Sequence, residues 1–244
     1  MAGFASHDSL HYKIMIQQYY KEYPRFYFAV DCIIFGFSDG ELNLLLLKRN
    51  IEPAKGSWSL PGGFIKENES AEEAASRVLL TLTGLSQLYM EQLRVFSQEN
   101  RDPGERVISV AHYALVNVED YNRELVQKHN AYWRNINDLP KLIFDHDEMV
   151  MAALNRLRRK ASTEPVGFNL LSDKFTVPQL QALYEAIYGR GIDKRNFRKK
   201  IQTMDFLEKS EEKDKSCSKR GAFLYTFNQQ LYEKAILDGF SFTL

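Results

Sequence analysis

The segment that most constrains the fold is residues 70–84, SAEEAASRVLLTLTG, because it carries helix signals at both ends. Ser70 and Glu73 have the spacing of a capping box, in which each side chain accepts a hydrogen bond from the backbone N–H of the other residue. Gly84 can adopt the left-handed conformation that commonly ends a helix. Strand-like runs rich in β-branched and aromatic residues lie on both sides of the segment. The sequence therefore predicts a helix packed on a β-sheet.

The rest of the N-terminal part fits this arrangement. Strand-like segments recur from residue 26 to 136, and turn sequences such as SDGE and ENRDPGE separate them. An amphipathic pattern at residues 145–162 predicts a long helix against the sheet. Residues 9–23 have loosely helical spacing before Pro24, and we assign residues 1–25 to an N-terminal helical extension. We expect residues 26–163 to form one domain.

Linker-like residues, STEPVGFN, occupy positions 162–169, and the sequence after them is of a different kind. Residues 176–189 have a helix pattern with Thr176 as N-cap, and Asp193 begins a second helix pattern that extends to residue 204. The segments DFLEKS and GAFLYTF follow as two strands. A helix, a short turn, a second helix and a two-stranded ribbon predict a winged helix-turn-helix domain at residues 164–244.

The predicted second helix of this domain is strongly basic. Its neighbourhood, RGIDKRNFRKK, contains six basic residues and one acidic residue. In a helix-turn-helix, the second helix lies in the DNA major groove, where basic and amide side chains contact bases and phosphates. A solvated helix face without a partner is the alternative. The candidate DNA contacts, including two in the turn of the ribbon, are Lys194, Arg195, Asn196, Arg198, Lys199, Lys219 and Arg220.

A second motif overlaps the capped helix. Five residues match the outer positions of the Nudix box, Gx5Ex7REUxEExGU, where U is a bulky aliphatic residue: Gly63, Glu69, Arg77, Gly84 and Leu85. With the neighbouring WSLPGGFI and FDHDEMV, residues 26–160 resemble a Nudix domain. The resemblance implies an α/β/α sandwich with a mixed sheet, so the expected fold class is α+β with a C-terminal winged helix.

The inner positions of the box differ from the hydrolase pattern. Nudix hydrolases cleave diphosphates with magnesium or manganese, and glutamates after the arginine hold the metal. Here those positions are Val78, Thr81 and Leu82, which cannot supply a carboxylate. A displaced site made of Glu69, Glu72 and Glu73 is the alternative, although Glu73 also fits the capping box. We expect no catalytic residue, no metal and no other cofactor, and we expect Arg77 to orient the loop through Glu69.

Together, the two domains resemble the Nudix-related transcriptional regulators of the NrtR type, and YEAIYGRGIDKRNFRKKI is similar to their DNA-binding signature. The resemblance implies a homodimer, double-stranded operator DNA and a small-molecule effector. The chain most resembles the arabinose-responsive branch, AraR, so L-arabinose is favoured over ADP-ribose. Two alternatives remain: a metal-dependent Nudix hydrolase of a nucleoside diphosphate derivative with an added nucleic-acid-binding domain, and a binding module without DNA contact.

Candidate effector contacts lie near the box and in the polar loop. Asp31 is the most conspicuous, because a carboxylate within the apolar run FAVDCIIF would be costly to bury unpaired. An ion pair with Arg25 or Arg49 is the alternative interpretation. Tyr27, Tyr113 or Trp58 could supply an aromatic floor. The full set of candidate effector residues is Asp31, Glu67, Glu69, Glu99 and Arg101.

The chain shows no feature of a membrane or disulfide-bonded protein. Its longest apolar runs fall well short of the roughly 20 residues that a membrane span requires. Cys32 and Cys217 are far apart and match no zinc or redox spacing. We therefore expect a cytoplasmic protein that does not contact membranes.

Overall fold

A computed structural model of the chain describes residues 18–118, 123–215 and 221–240, together with Lys13 and Ile16. The strands are β1 Tyr27–Ser38, β2 Glu41–Lys48, β3 Trp58–Ser59, β4 Gly62–Phe64, β5 Glu91–Phe96, β6 Val107–Asn117, β7 Ala131–Asn135, β8 Lys174–Thr176, β9 Leu207–Asp214 and β10 Ala222–Phe227. The α-helices are α1 Ala71–Thr83, α2 Arg123–Lys128, α3 His146–Thr163, α4 Val177–Tyr188, α5 Lys194–Ile201 and α6 Gln229–Leu237.

The first sheet has seven strands and is mixed, with β1 at its centre. Strand β1 pairs in parallel with β6 along most of its length and antiparallel with β2 and β4. Strand β5 extends the sheet beyond β6, and β3 and β7 both pair with β2. The short antiparallel contact with β4 brings Gly62 opposite Asp31. The mixed sheet predicted from the box is confirmed.

Helices cover both faces of this sheet. Val30, Cys32 and Ile34 of β1 belong to a buried cluster that includes one face of α1. Ile33 and Phe35 belong to the cluster on the opposite face, which includes α3. Because successive side chains of a strand point to opposite faces, one buried strand serves both layers. The predicted sandwich, and with it the fold class, is confirmed.

The helix signals read from the sequence are present in the structure. Ser70 and Glu73 form the capping box of α1, and Gly84 ends that helix in the left-handed conformation. Thr176 caps α4 through a capping box in the same way, and Gly189 ends it. These signals were predictable because each depends on residues within one or two turns of each other.

Some boundaries and elements were not predicted. The helix expected to reach residue 204 ends at Ile201, because residues 202 and 203 form a turn that leaves Met204 buried beyond the helix. Strand β9 continues to Asp214, into the segment expected to be a charged connection. Helices α2 and α6 and strand β8 were not anticipated. Residues 18–21 are helical, and most of the helix expected at residues 9–23 lies outside the described part of the chain.

The C-terminal part contains a three-stranded sheet, in the order β8-β10-β9, and helices α4, α5 and α6. One hydrophobic cluster runs from the first sheet through α3 into these helices without interruption. Side chains from three regions share this cluster: Phe35 and Leu46 from the sheet, Leu154 and Leu157 from α3, and Leu180, Leu183 and Phe197 from α4 and α5.

Among the described helices, none is long and apolar enough to cross a bilayer.

Candidate effector site and nucleic-acid interface

A group of buried polar side chains lies where β1, β6 and the start of α3 meet. Asp31 is 6% exposed and accepts a hydrogen bond from the Ser109 hydroxyl at 2.6 Å. Its carboxylate also lies 3.5 Å from the guanidinium of Arg101. Arg25 and Arg49, the partners expected from the sequence, form no ion pair with Asp31 in the described structure. Asp31 therefore sits in a buried charged network, which offsets the desolvation cost of a carboxylate in an apolar strand.

Arg101 is held on its other side by the N-cap residue of α3. Its Nε and Nη2 atoms donate to the two carboxylate oxygens of Asp145, each at 2.8 Å. Both side chains are nearly inaccessible to solvent. A two-point contact fixes the orientation of a guanidinium as well as its position. The polar loop after β5 is thereby tied to the beginning of α3.

His146, the first residue of α3, completes the group. Its Nδ1 atom accepts a hydrogen bond from the backbone N–H of Leu60 at 3.0 Å, and its Nε2 atom lies 3.6 Å from Asp31. Burial lowers the pKa of His146, although the nearby Asp31 and Asp145 oppose this effect. The ring is therefore neutral at pH 7, with its proton on Nε2 facing the carboxylate.

A cavity of about 400 Å³ opens beside this group, a size typical of small-molecule sites. Asp31, Arg101 and His146 line its inner end, and Ile51, Phe64 and Phe144 provide much of its apolar wall. Gly62 is required at the inner end, because a Cβ atom there would overlap the Asp31 carboxylate. The charged residues of the wall are mostly acidic: Asp31, Glu52, Asp102 and Glu105, against Arg49 and Arg101.

The structure brings two of the predicted effector residues, Asp31 and Arg101, together at this cavity. Glu67 and Glu69 lie instead on the box loop, along a separate shallow depression. Glu99 is exposed and does not line the cavity. Asp145 and His146 were not among the predicted effector residues, and only their position after an apolar segment, at a predicted helix start, could have indicated them.

The proposed aromatic floor is not formed by the predicted residues. Tyr27 does not line the cavity itself, but its ring packs against Phe64, which does, at 5.6 Å between centroids. Trp58 packs instead against Tyr132, and both belong to strands that pair with β2 away from Asp31. Tyr113 lines a different cavity, of about 410 Å³, between the sheet and the C-terminal domain. Neither Trp58 nor Tyr113 lines the cavity beside Asp31, so the expected aromatic floor is not found there.

The box itself has kept its structural contacts. Arg77 donates from Nε to Glu69 at 2.8 Å and from Nη2 to the carbonyl oxygen of Phe64 at 3.0 Å. The hydrogen bond from Arg77 lowers the pKa of Glu69 to about 2, and the backbone N–H of Lys66 contributes to the same shift. The expected contact between Arg77 and Glu69 is confirmed. It holds the box loop against α1.

The metal-binding face of the box is replaced. Val78 is buried and packs under Gly63, where an added Cβ would lie 3.0 Å from a Val78 methyl group. Thr81 is exposed and Leu82 is half-buried. These three side chains offer no carboxylate for a hard divalent cation. The residues at these positions therefore do not fit the metal that Nudix hydrolases use.

The alternative carboxylates are engaged elsewhere. Glu69 is bound by Arg77 and by Lys66, and Glu73 accepts the N–H of Ser70 in the capping box. Glu72 accepts hydrogen bonds from its own backbone N–H and from the Ser70 side chain, and both lower the pKa of its carboxyl group. Across the described residues, no three His, Cys, Asp or Glu side chains are grouped so that they could hold a metal ion.

In the C-terminal domain, polar contacts fix the turn between α4 and α5. Glu185 accepts the backbone N–H of Ile192 at 2.9 Å, and Gln181 donates to Glu185 at 2.9 Å and to the Ile192 carbonyl oxygen at 3.1 Å. Asp193 then caps α5 by accepting the N–H of Asn196. The start of α5 is therefore held rigidly against α4.

Helix α5 presents its polar face to solvent. Phe197 and Ile201 are buried against α4, which turns the other side of the helix outwards. Asp193 at its start is the one acidic neighbour in the RGIDKRNFRKK segment. Lys219 and Arg220, the candidate contacts in the ribbon, lie outside the described residues. The candidate residues on α5 that are exposed are Lys194, Arg195, Asn196, Arg198 and Lys199.

Comparisons with known proteins agree with both parts of the structure. Residues 26–153 match the NUDIX domain, and residues 167–227 match the NrtR DNA-binding winged helix domain. The sandwich, the capped box helix and the exposed basic helix define a DNA-binding regulator of the Nudix and winged helix type. The chain belongs to the NrtR family of Nudix-related transcriptional regulators.

Two relatives resemble nearly the whole chain. The ADPR responsive transcriptional repressor NtrR of Acinetobacter baylyi is 32% identical over 223 residues, which cover 89% of each protein. The crystal structure of Shewanella oneidensis NrtR complexed with a 27mer DNA has a TM-score of 0.74 and 30% identity, and the match covers 84% of this chain and 95% of that one.

A third relative resembles only the N-terminal part. The ADP-ribose pyrophosphatase of Methanocaldococcus jannaschii is 33% identical over 138 residues, which cover 57% of this chain and 80% of that enzyme. The Nudix domain is therefore shared by regulators and by a hydrolase.

Proposed function

We propose that this chain is a transcriptional regulator whose affinity for operator DNA changes when ADP-ribose binds in the cavity beside Asp31. The observation that carries the proposal is the combination of a closed polar network, a cavity of about 400 Å³ and an exposed basic helix in one chain. The Acinetobacter baylyi relative, an ADPR responsive repressor, supports the choice of effector.

The cavity offers chemistry suited to each part of ADP-ribose. Acidic side chains accept hydrogen bonds from ribose hydroxyls, and the apolar wall at Ile51, Phe64 and Phe144 suits an adenine ring. Arg49 is the cation available to a diphosphate, because its Nε donates to the Pro53 carbonyl oxygen and the guanidinium forms no ion pair with a described residue. The guanidinium of Arg101 is already bound by Asp145.

A neutral sugar is the second candidate effector. The acidic side chains and the aromatic wall residues Phe64 and Phe144 also suit L-arabinose, because this sugar carries no charge that the acids would repel. The relatives give no support to arabinose sensing. Calorimetry with ADP-ribose and L-arabinose in parallel tests the choice. We expect saturable 1:1 binding of ADP-ribose and none of L-arabinose, and the reverse result would replace the effector.

We further propose that the Nudix domain does not hydrolyse its ligand. The replacement of the metal-binding face by Val78, Thr81 and Leu82 supports this. The similarity to an ADP-ribose pyrophosphatase favours the rival function, hydrolysis of a nucleoside diphosphate derivative. Incubation of ADP-ribose with the protein and magnesium or manganese separates the two functions. Metal-dependent product release that Glu73→Gln abolishes would establish the rival.

The DNA contacts, the domain limits and the dimer remain parts of this proposal. We assign base and phosphate contacts to Lys194, Arg195, Asn196, Arg198 and Lys199, with Lys219 and Arg220 on the wing. The domain limits are 1–25, 26–163 and 164–244. A homodimer would match the two halves of a palindromic operator. Light scattering with and without DNA would detect it as a doubled mass.

A further inference from the structure

Helix α3 touches both functional parts of the molecule. Its N-cap residue, Asp145, binds Arg101 at the effector cavity, and His146 lines that cavity. Arg158 stands 13 residues further along, which places it about 20 Å from Asp145 at the rise of an α-helix. There its Nε atom donates to the carbonyl oxygen of Ile187 at 2.9 Å. One rigid element therefore joins the cavity to the DNA-binding domain.

The contact made by Arg158 is at the end of α4. The last four carbonyl groups of a helix have no partner within it, and Ile187 is one of the final residues of α4. A cation at this end is also favoured by the helix dipole. Gly189 permits the approach, because it ends α4 at a φ of 66° and a Cβ atom there would lie 3.2 Å from Arg158 Nη2. Arg158 thus caps α4 from another domain.

The end of α4 in turn sets the position of α5. Glu185, one turn before the end, binds Ile192 in the turn, and Asp193 immediately afterwards caps α5. A movement of Arg158 along its helix axis would therefore reach the basic residues of α5 through two short hydrogen-bonded steps. Between the end of α4 and the start of α5, the chain contains only this hydrogen-bonded turn.

The packing beside this path leaves room for movement. The second cavity, of about 410 Å³, lies between the sheet and the C-terminal domain and is lined by Leu157 and Lys160 of α3. Lys160 is held there by Glu91 of β5 at 2.6 Å. A domain boundary that is not close-packed can change its arrangement with less loss of contact than a filled core.

From these contacts we infer that Arg158 is a positioning residue that couples effector binding beside His146 and the Arg101–Asp145 pair to the placement of the DNA-binding helix α5. The inference rests on the proposed function, since it assumes that the cavity beside Asp31 binds an effector. It adds a specific connection between the two sites. Arg158 itself contacts neither the cavity nor the exposed face of α5.

The test compares Arg158→Ala with Arg159→Ala in the full chain. Arg159 is the next residue of α3, exposed, and its side chain makes no hydrogen bond or ion pair with a described residue. ADP-ribose binding is measured by calorimetry. DNA affinity, with and without saturating ADP-ribose, is measured by fluorescence anisotropy on a duplex selected from a random pool by the unaltered protein.

We expect ADP-ribose to change the DNA affinity of the unaltered protein and of Arg159→Ala by tenfold or more, within the usual range of allosteric coupling. In Arg158→Ala the change should fall below about threefold, while ADP-ribose affinity stays within twofold. Arg158→Lys, which retains a cationic donor, should recover part of the change. An unreduced change in Arg158→Ala would overturn the inference.

A measurement without ADP-ribose keeps the inference separate from the proposed function. If ADP-ribose does not change the DNA affinity of the unaltered protein, the proposed effector is wrong. Hydrogen exchange still tests whether α3 connects the cavity to the turn before α5. Asp145→Asn should accelerate amide exchange in residues 189–193 more than in β10 of the same domain, and this excess should disappear in an Arg158→Ala background. Exchange in the turn that rises no more than exchange in β10 would overturn the inference.

Discussion

Arg101 and Asp145 are 44 positions apart in sequence and form a buried, two-point ion pair, with both nitrogen–oxygen distances at 2.8 Å. The pair joins the polar loop after β5 to the first turn of α3. It also completes the inner end of the cavity, where Asp31 and His146 lie within 3.6 Å of each other. The same side chains therefore stabilise the fold and form the inner end of the cavity.

Loss of the Asp145 charge should destabilise the fold. Asp145→Asn leaves the buried Arg101 guanidinium with only the more distant Asp31 carboxylate, and breaking one side of a buried ion pair typically costs about 3–5 kcal/mol. Urea unfolding measures the change. Asp147→Asn is the matched control, because Asp147 is exposed in the same helical turn, and it should cost less than about 1 kcal/mol. Equal effects would contradict the role given to the pair.

Filling the space at Gly62 should close the cavity. In Gly62→Ala, the new methyl group would overlap the Asp31 carboxylate, which must then move away from Ser109. We expect ADP-ribose affinity, measured by calorimetry, to fall by more than tenfold. Gly191→Ala is the control, because no described heavy atom lies within 4 Å of its added Cβ. An unchanged affinity in Gly62→Ala would place the ligand elsewhere.

The basic helix should contribute to DNA binding in a way that depends on salt. Arg195→Ala removes one exposed cation from α5, so operator affinity should fall by roughly tenfold at moderate salt. If Arg195 contacts a phosphate, the slope of log affinity against log salt should also decrease by about 1. Lys234→Ala, on the exposed face of α6, serves as the control. Equal losses in both variants would indicate a general charge effect.

The buried histidine should make stability depend on pH. Burial places the folded-state pKa of His146 below its unfolded value near 6.5, so the unfolded chain binds more protons as pH falls through that value. Stability should therefore be complete above about pH 6.5 and should decrease below it. His146→Asn, which can still accept the Leu60 N–H, should show a shallower decrease in urea unfolding between pH 6.5 and 5.

Two controls define that experiment. His112 is also buried and its pKa is also lowered, so His146→Asn should still lose some stability as the pH falls. The slope compared below is that of the free energy of unfolding against pH. His129→Asn, at an exposed position, should leave the slope unchanged. A slope that is identical in the unaltered protein and in His146→Asn would contradict the burial of a neutral His146.

The sequence was most informative where structure depends on near neighbours. The capping boxes at Ser70 and Thr176 and the glycine stops at Gly84 and Gly189 followed from local spacing and are present. The end of α5 was misplaced because Met204 continues the apolar spacing, while its burial comes from the turn that follows Ile201.

The site was predictable only in part, for a different reason. Asp31 was conspicuous because a buried carboxylate needs hydrogen-bond or ion-pair partners. Those partners come from positions 101, 109 and 146, which are far from Asp31 in the sequence. Tyr113 lies on the same face of β6 as Ser109, yet four residues of strand separate them by about 13 Å, which puts Tyr113 at another cavity. Alternation along a strand gives the face of a side chain but not its place along the sheet.

The most direct test of the central claim follows DNA binding and ligand integrity in one experiment. The protein is titrated with ADP-ribose while bound to its selected duplex, in the presence of magnesium, and the nucleotide is recovered and analysed at the end. The account predicts that DNA affinity changes by at least tenfold and that ADP-ribose is recovered intact. Unchanged DNA affinity, or cleavage of the recovered ADP-ribose by the protein, would contradict it.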